Sequence, residues 1–291
     1  MNQVLASELK RVAKQTISPN EEEYLSLSTE AACQIAGQFN QSLKDVEIEA
    51  LKNQVIPERY QRNLGTIGVQ GQIKLLQSRV AIVGVGGLGG TALELLVRFG
   101  VGRIVIIDGD SFVESNLNRQ PLSESKNIGK RKVEAARERV GEVNPATEIE
   151  IHRVVANERN LPGMIQGSQV VVDGLDNIPD RLSLEKASKK MGIPFVHGAI
   201  AGFVGQVTTI FPGDPGLRVI YGAGHFPRSG LEKQFGTPCI TPALIATWQV
   251  SEVIKILLGW ENTLRNRVLF VDFKEQIMEV LHIDQEGRLT I

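Results

Sequence analysis

The sequence has few of the residues that crosslink secreted domains or bind charged partners. Only two of its 291 residues are cysteines, so the chain cannot build a disulfide framework. Its formal net charge of -1 gives no sign of a nucleic-acid or anionic-membrane partner. The N-terminus, MNQVLASELKRVAK, lacks the continuous apolar core of a secretory signal, and the most apolar segment, 242–260, is interrupted by Glu252 and Lys255. We therefore expect a cytoplasmic α/β protein with no membrane or nucleic-acid partner.

A glycine-rich turn is the most informative pattern. Arg79–Val83 is a β-branched run that ends in glycines, and apolar residues then recur at helical spacing from Thr91 to Phe99. The glycines of this predicted strand–turn–helix are Gly84, Gly86, Gly87 and Gly89. A residue without Cβ lets the backbone approach a phosphate closely, and the helix directs its first N–H groups at the anion. The turn therefore predicts a nucleotide site.

Polar residues downstream of the turn narrow the choice of nucleotide. A second predicted strand ends on Asp108 and Asp110, about twenty residues past the glycines, where an acidic group meets a ribose hydroxyl. The other candidates are Ser115, Asn116, Leu117, Asn118, Arg119, Lys132, Asp176 and Asn177. Two cations and a second carboxylate suit a triphosphate with Mg²⁺ better than a nicotinamide. We interpret the site as one for ATP.

Together these motifs resemble the E1-like adenylyltransferases of the MoeB/ThiF/HesA group, which activate ubiquitin-like sulfur-carrier proteins. The resemblance runs from about Arg59 to Gly259. It implies an enzyme that adenylylates the C-terminal Gly-Gly carboxylate of a MoaD/ThiS-type carrier and releases pyrophosphate. It also implies that Asn116, Arg119 and Lys132 contact the phosphates, that Asp108 lies near the ribose, and that Asp176 holds Mg²⁺.

The segment that precedes the turn adds an expectation about assembly. In the resembled family a segment of the form R-Y-x-R sends its second arginine across a homodimer interface to the partner's ATP. That role falls on Arg62, with Arg59 as the less favoured carrier; the alternative is a surface arginine that pairs locally.

Cysteine and histidine positions depart from that family or leave alternatives open. Many members bind a structural zinc through four cysteines, which this chain lacks, so we expect none. Cys239 is interpreted as a small buried residue, with a covalent role as the alternative. His197 follows a predicted strand near the site and is a possible lining residue.

Strands that alternate with helices predict a doubly wound, Rossmann-like, mainly parallel sheet. After residue 198 alternating patterns without long helices predict antiparallel strands that extend this sheet, with a loop over 212–238 that in the family covers the carrier's tail. We place a helical extension at 1–56 and the ATP-binding adenylation domain at 57–291. Within the extension we expect one helix near residue 4, one from Ser28 and one over 43–51, and we interpret Glu21–Glu23 as a helix start. The extension either covers the domain or docks a partner.

Two other functions share parts of the pattern. An NAD-dependent oxidoreductase would use the glycine turn but would not need Lys132 and Asp176. A related adenylating enzyme that acts on a small molecule or on tRNA would keep all the ATP residues.

Overall fold

The computed structural model describes residues 2–17, 21–222, 224, 226, 232–284 and 288–290. The N-terminal unit contains three helices and a three-stranded sheet in the order β1-β2-β3. Its elements are α1 (Asn2–Val12), β1 (Lys14–Ile17), β2 (Glu23–Leu27), α2 (Thr29–Phe39), α3 (Leu43–Lys52) and β3 (Val55–Pro57).

The helices of this unit lie where the sequence predicts them, but its strands are additional. Ser28 caps α2 by accepting a hydrogen bond from the Ala31 N–H at 3.2 Å. Leu5 and Leu9 of α1 are fully buried against the other two helices. The predicted helix start at Glu21–Glu23 is wrong, because Glu23 begins β2, which pairs with β1 on one side and β3 on the other. Short strands with little alternation leave no periodic signal in the sequence.

The remainder of the chain forms a second, larger α/β unit. In chain order its elements are α4 (Gln61–Leu76), β4 (Arg79–Val83), α5 (Gly87–Phe99), β5 (Arg103–Ile107), α6 (Lys132–Val143), β6 (Glu148–His152), α7 (Leu161–Ile165), β7 (Val170–Asp173), α8 (Ile178–Lys190), β8 (Phe195–Ala201), β9 (Val204–Ile210), α9 (Arg218–Tyr221), α10 (Glu232–Phe235), α11 (Ile240–Leu258), β10 (Arg267–Asp272), β11 (Ile277–Ile283) and β12 (Leu289–Thr290).

These strands make one nine-stranded sheet in the order β12-β11-β10-β9-β8-β7-β4-β5-β6. Neighbours from β6 to β8 run parallel and neighbours from β8 to β12 run antiparallel. Buried aliphatic side chains on one face pack against α5, α6 and α11, and those on the other face pack against α7 and α8. The predicted parallel sheet with an antiparallel extension is therefore confirmed.

The most apolar helix, α11, packs across the middle of this sheet. By length and composition it is the one helix among the described residues that could cross a membrane, yet 56% of its apolar window is buried inside the protein. Gly205 on β9 lies so close to it that an added Cβ would come within 2.4 Å of Ile245. Trp260 follows the helix end at Gly259 and is 46% exposed. Trp248 is partly buried against the core.

Part of the predicted loop over 212–238 lies outside the described residues, namely 223, 225 and 227–231. The part before this gap is firmly attached. Arg265 donates to Asp214 at 2.7 Å and stacks over the Phe211 ring. The amide of Leu217 donates to buried Glu185 at 3.3 Å.

A buried polar group, which we call the junction cluster, joins the two units. It consists of Glu47, Arg59, Tyr60 and Asn144. Tyr60 donates to Glu47 at 2.9 Å and accepts from Asn144 at 3.0 Å, while Arg59 donates to Asn144 at 2.6 Å. Burial raises the pKa of Glu47, and the nearby Arg59 guanidinium offsets part of that rise. The domain division at residue 57 stays a prediction. The segment just after it hydrogen-bonds to both units, through Tyr60 to Glu47 and through Arg59 to Asn144.

Candidate functional site

A cavity of about 500 Å³ lies at the carboxyl ends of β4, β5 and β7. This is the position at which ligands bind to open parallel sheets. Its polar or glycine lining residues are Gly84, Gly86, Gly87, Asp108, Gly109, Asp110, Arg119, Gln120, Lys132, Gly174, Asp176, Asp180, Arg181 and Thr237. The fold thus brings together residues that span more than half of the chain.

The glycine turn forms the floor of the cavity. Gly84 has a φ of +85°, in the left-handed region where glycine is favoured. Its carbonyl oxygen is enclosed by two further glycines: an added Cβ would lie 1.8 Å from it at Gly89 and 2.1 Å from it at Gly174. The turn therefore depends on all three positions, of which the sequence pattern singled out two.

Asp108 holds the shape of this turn. Its carboxylate accepts from the backbone amides of Val85 and Asp110, each at 2.8 Å. One side chain thereby connects the end of β5 to the turn after β4. Because each carboxylate oxygen has a second lone pair, these bonds leave room for a ribose hydroxyl as a further donor.

Lys132 lies on the cavity wall although it is only 7% exposed. Its ammonium donates to the Asp110 carboxylate at 3.0 Å, and its amide donates to the Asp110 carbonyl at 3.0 Å. These bonds attach the start of α6 to the loop after β5. A cation this poorly solvated interacts strongly with an incoming anion.

Arg119 reaches the wall from the loop that precedes α6. It donates to the Ser115 carbonyl at 3.1 Å and to the Asn118 side chain at 2.9 Å. Among the described residues, Ser115, Asn116, Leu117 and Asn118 are not brought to the cavity wall. They build the loop instead: Asn116 accepts from the Val113 amide at 3.1 Å, and Asn118 donates to the Thr237 carbonyl at 3.2 Å.

Two carboxylates follow β7 on the opposite wall. Asp176 is exposed to the cavity, and Asp180 lies one turn further on, in α8. Asn177, which is not on the wall, caps this helix by accepting from the Asp180 amide at 3.0 Å and donates to both carboxylates. No cluster of three or more metal-binding side chains occurs in the described part of the chain. One or two carboxylates beside a phosphate site fit Mg²⁺, which usually keeps several waters and binds substrate phosphates; the expectation that the chain holds no zinc stays a prediction.

Arg181 is a wall residue that sequence reasoning missed. Its side chain is buried, donates to the Leu175 carbonyl at 2.7 Å and lies 3.5 Å from the Asp173 carboxylate. The sequence could have identified Arg181 by its position, because it lies about one helical turn beyond Asp176 and Asn177, on the face of α8 that is directed toward the sheet.

His197 does not line the cavity. It is fully buried behind the wall, with Nδ1 at 2.7 Å from Asp173 and Nε2 at 3.0 Å from the Tyr221 hydroxyl. Burial lowers the pKa of His197, and the Asp173 carboxylate opposes that effect in part.

Two further candidates lie away from the cavity. Arg62 is exposed on α4, whereas Arg59 is fixed in the junction cluster and also donates to Thr29 at 2.7 Å. Cys239 is exposed, so its interpretation as a buried residue is wrong. It lies just before α11, where the chain emerges from the loop over 212–238.

Comparison with known proteins agrees with this geometry. The model of the ThiF family matches residues 60–288. The SAMP-activating enzyme E1 of Haloferax volcanii is 35% identical over 227 residues, 77% of this chain and 84% of that protein. The sulfur carrier protein adenylyltransferase of Thermus thermophilus is 31% identical, over 80% of this chain and 90% of that protein.

Solved structures show the same fold at lower identity. E. coli MccB with ATP has a TM-score of 0.67 and 18% identity, over 86% of this chain and 78% of that chain. E. coli tRNA N6-threonylcarbamoyladenosine dehydratase, TcdA, in complex with AMP has a TM-score of 0.58 and 21% identity, over 69% of this chain and 95% of that chain.

Proposed function

The chain belongs to the ThiF family of E1-like enzymes and is of the nucleotidyltransferase type; from that premise we propose that it adenylylates the C-terminal carboxylate of a ubiquitin-like sulfur carrier ending in Gly-Gly. The observation that carries the proposal is the convergence of Arg119, Lys132 and Asp176 on one cavity above the glycine turn. ATP is the adenylyl donor, and a MoaD- or ThiS-type carrier is the acceptor.

The chemistry needs placement and charge neutralisation rather than a protein nucleophile. The carrier's terminal carboxylate attacks the α-phosphate, the bond between the α- and β-phosphates breaks, and pyrophosphate leaves with the electron pair. Lys132 and Arg119 contact the phosphates as negative charge develops on the leaving group. Gly84–Gly89 holds the phosphates, and Asp108 accepts from the ribose.

Asp176, assisted by Asp180, would hold Mg²⁺, which supplies charge neutralisation across the phosphate oxygens. Asp110 has a different task. By binding Lys132 at 3.0 Å it keeps the ammonium oriented toward the cavity before ATP arrives.

We assign Arg62 to the cavity of a second copy in a homodimer. Arg62 is exposed, and it does not line the cavity of its own subunit. Ile67 on α4, Leu95 on α5, and Leu244 and Trp248 on α11 pack against the core and are only partly buried, so a second copy that covered these helices would bury them further. A dimer through this surface would place the cation near the partner's phosphates.

The carrier would approach from the antiparallel half of the sheet. Phe203, Phe235 and Ile240 are exposed near the β8–β9 turn, and the Gly202 amide donates to the Gly236 carbonyl at 2.9 Å. Single exposed apolar residues are common, but three beside a cavity suit a protein partner. The extended Gly-Gly tail would then enter past Thr237, since residues without side chains fit a narrow channel.

Carrier-dependent exchange of radioactive pyrophosphate into ATP tests this proposal. Wild-type protein, mixed in turn with a MoaD-type and a ThiS-type carrier, is expected to catalyse exchange and to add an adenylyl group to the carrier by mass. Alanine at Arg119, Lys132 or Asp176 is expected to lower exchange by about 100-fold or more, while a carrier without its last glycine serves as the control. Normal exchange in all three variants would overturn the assignment.

A further inference from the structure

Helix α4, which carries Arg62, is interrupted in its middle at Gly68. Gly68 has a φ of 68° and a ψ of 173°, outside the helical region. This combination is accessible to glycine and essentially closed to residues that have a Cβ. Because the break divides α4 into two short segments, the backbone of this one residue sets the angle between them.

The segment after the break, 69–76, is attached to the rest of the subunit. The Gln72 side chain donates to the Phe99 carbonyl at the end of α5 at 2.9 Å. Lys74 donates to the Leu258 carbonyl at the end of α11 at 3.0 Å. This segment is therefore a fixed base, held by the two helices that we propose the second copy covers.

The segment before the break presents Arg62 on its outer face. Leu64 and Ile67 pack against the core, whereas Arg62 is exposed. Across the break, the Asn63 side-chain amide donates to the Gln72 side chain at 3.0 Å. The first segment is thereby held at one angle to its base, and Arg62 leaves the subunit in a defined direction.

Close packing does not explain the glycine at position 68. An added Cβ there would have no neighbouring atom within 4 Å, and the same is true of Gly65, which lies in the first segment with helical geometry. Both positions have space for a side chain, but the backbone conformation at Gly68 excludes one. Gly68 is therefore needed for the angle between the segments, and that angle decides where Arg62 projects.

We propose that Gly68 positions Arg62 for the cavity of the second copy by fixing the angle at which the first segment of α4 leaves its base. The inference rests on the proposed function, in which Arg62 serves the partner subunit. Gly68 contacts no substrate and is a positioning residue. A cation that is already in place stabilises charge on the phosphates without reorganisation. Turning the segment is therefore expected to slow the reaction in the neighbouring subunit and to leave the subunit's own cavity intact.

Gly68→Ala tests this proposal, because alanine moves residue 68 out of its present conformation and turns the first segment. In carrier-dependent exchange its kcat is expected to fall about 10- to 100-fold. Gly65→Ala is the matched control and is expected to exchange like the wild type, since its position is helical and has space. The double variant Arg62→Ala/Gly68→Ala is expected to be no slower than Arg62→Ala, because the turned segment no longer carries the cation.

Mixed dimers make the test specific. An Arg62→Ala subunit is paired with a Lys132→Ala subunit, and the heterodimer is isolated through two different affinity tags. One cavity then keeps its own Lys132 and receives Arg62 from its neighbour, so exchange is expected at about half of the wild-type rate. Adding Gly68→Ala to the Lys132→Ala subunit is expected to lower this rate about 10-fold or more. Adding it to the Arg62→Ala subunit is expected to leave the rate unchanged, whereas a general folding defect would act in both placements.

The possible outcomes separate the levels of the proposal. Equal rates for the two placements of Gly68→Ala, or wild-type exchange by the Gly68→Ala homodimer, would overturn the role of Gly68. An inactive mixed dimer without the Gly68 change would overturn the assignment of Arg62 to the partner and the role of Gly68 with it. Absence of exchange in the wild type would overturn the proposed function itself, together with this inference.

Discussion

The cavity and the junction cluster contain similar residue types in opposite settings. Each combines carboxylate and arginine side chains with an uncharged amide: Asn144 in the junction cluster and Gln120 in the cavity. In the junction cluster these groups contact one another: Glu47, Arg59, Tyr60 and Asn144 are joined by hydrogen bonds of 2.6 to 3.0 Å, and Glu47 Oε1, which accepts no hydrogen bond, lies 3.5 Å from Arg59 Nε as an ion pair. In the cavity Asp176 and Asp180 face open space. Polar residues stabilise the fold where other protein groups supply their hydrogen-bond and charge partners. They bind ligands where such partners are still to be supplied.

The largest effect is expected from replacing Arg59 in the junction cluster, and the nearby Arg62 provides the comparison. Arg59→Met leaves the buried Glu47 carboxylate without its cation, and the free energy of unfolding is expected to fall by about 3–5 kcal/mol. Urea unfolding measures the loss. Arg62→Met, three residues away and exposed, is the matched control for stability and should unfold like the wild type.

The stability difference between Arg59→Met and Arg62→Met is expected to depend on pH, because Glu47 can be protonated. Because the pKa of Glu47 is raised in the folded protein, the folded state binds a proton more tightly than the unfolded state, so this residue favours folding more as the pH falls through its folded pKa. Without the Arg59 guanidinium, the pKa of Glu47 in the folded protein is expected to rise further. The deficit of Arg59→Met relative to Arg62→Met should therefore shrink at acidic pH, and a constant deficit would contradict this account.

In the cavity the same kind of change is expected to affect rate rather than stability. Lys132→Met removes a cation whose partner, Asp110, is well solvated, so the folded state loses little. Carrier-dependent exchange is expected to fall about 100- to 1,000-fold, the effect of losing one preorganised donor. Lys130→Met is the control, because Lys130 pairs with Glu138 on the surface of α6. Equal activity of the two variants would remove Lys132 from the mechanism.

The smallest effect is expected at His197, which lies behind the cavity wall. Asp173 on β7, Arg181 and Glu185 on α8, and Tyr221 on α9 surround it. Since burial lowers its pKa, the unfolded state takes up a proton first as the pH falls below about 6.5, and stability is lost at up to about 1.4 kcal/mol per pH unit.

Unfolding of His197→Gln across pH 7.5 to 5.5 measures this contribution. The variant is expected to be less stable at high pH, where the neutral imidazole fits its partners, and to lose less stability on acidification. His152→Gln is the control, because His152 is a partly exposed residue that contacts Glu150 at 3.0 Å. The same pH slope in the wild type and in both variants would show that His197 does not contribute.

Much of the parallel sheet and of the cavity could be predicted from the sequence, because the relevant signals are local. The glycine turn, the carboxylates at strand ends and the helix start at Lys132 each follow from a short pattern. The strands near residues 14–27 could not, because their neighbours in the sheet, including β3, set their structure rather than alternation along the chain.

Residues whose importance comes from distant neighbours were missed for the same reason. Gly174 matters because it approaches the carbonyl of Gly84, and Arg181 because Asp173 and Leu175 hold it on the wall. The exposure of Cys239 depends on how the preceding loop leaves the sheet, which spacing does not encode. Such features appear only once the strands are placed side by side.

The two hydrogen bonds that Asp108 accepts, from the Val85 and Asp110 amides, fix the bend of the glycine turn within the protein itself. The chain loses the conformational freedom of that bend while it folds, so ATP encounters a rigid receptor and does not have to order one. Discrimination between nucleotides would then depend on fit to a fixed surface, and selection of the protein substrate would be left to the parts of the wall that face the loop.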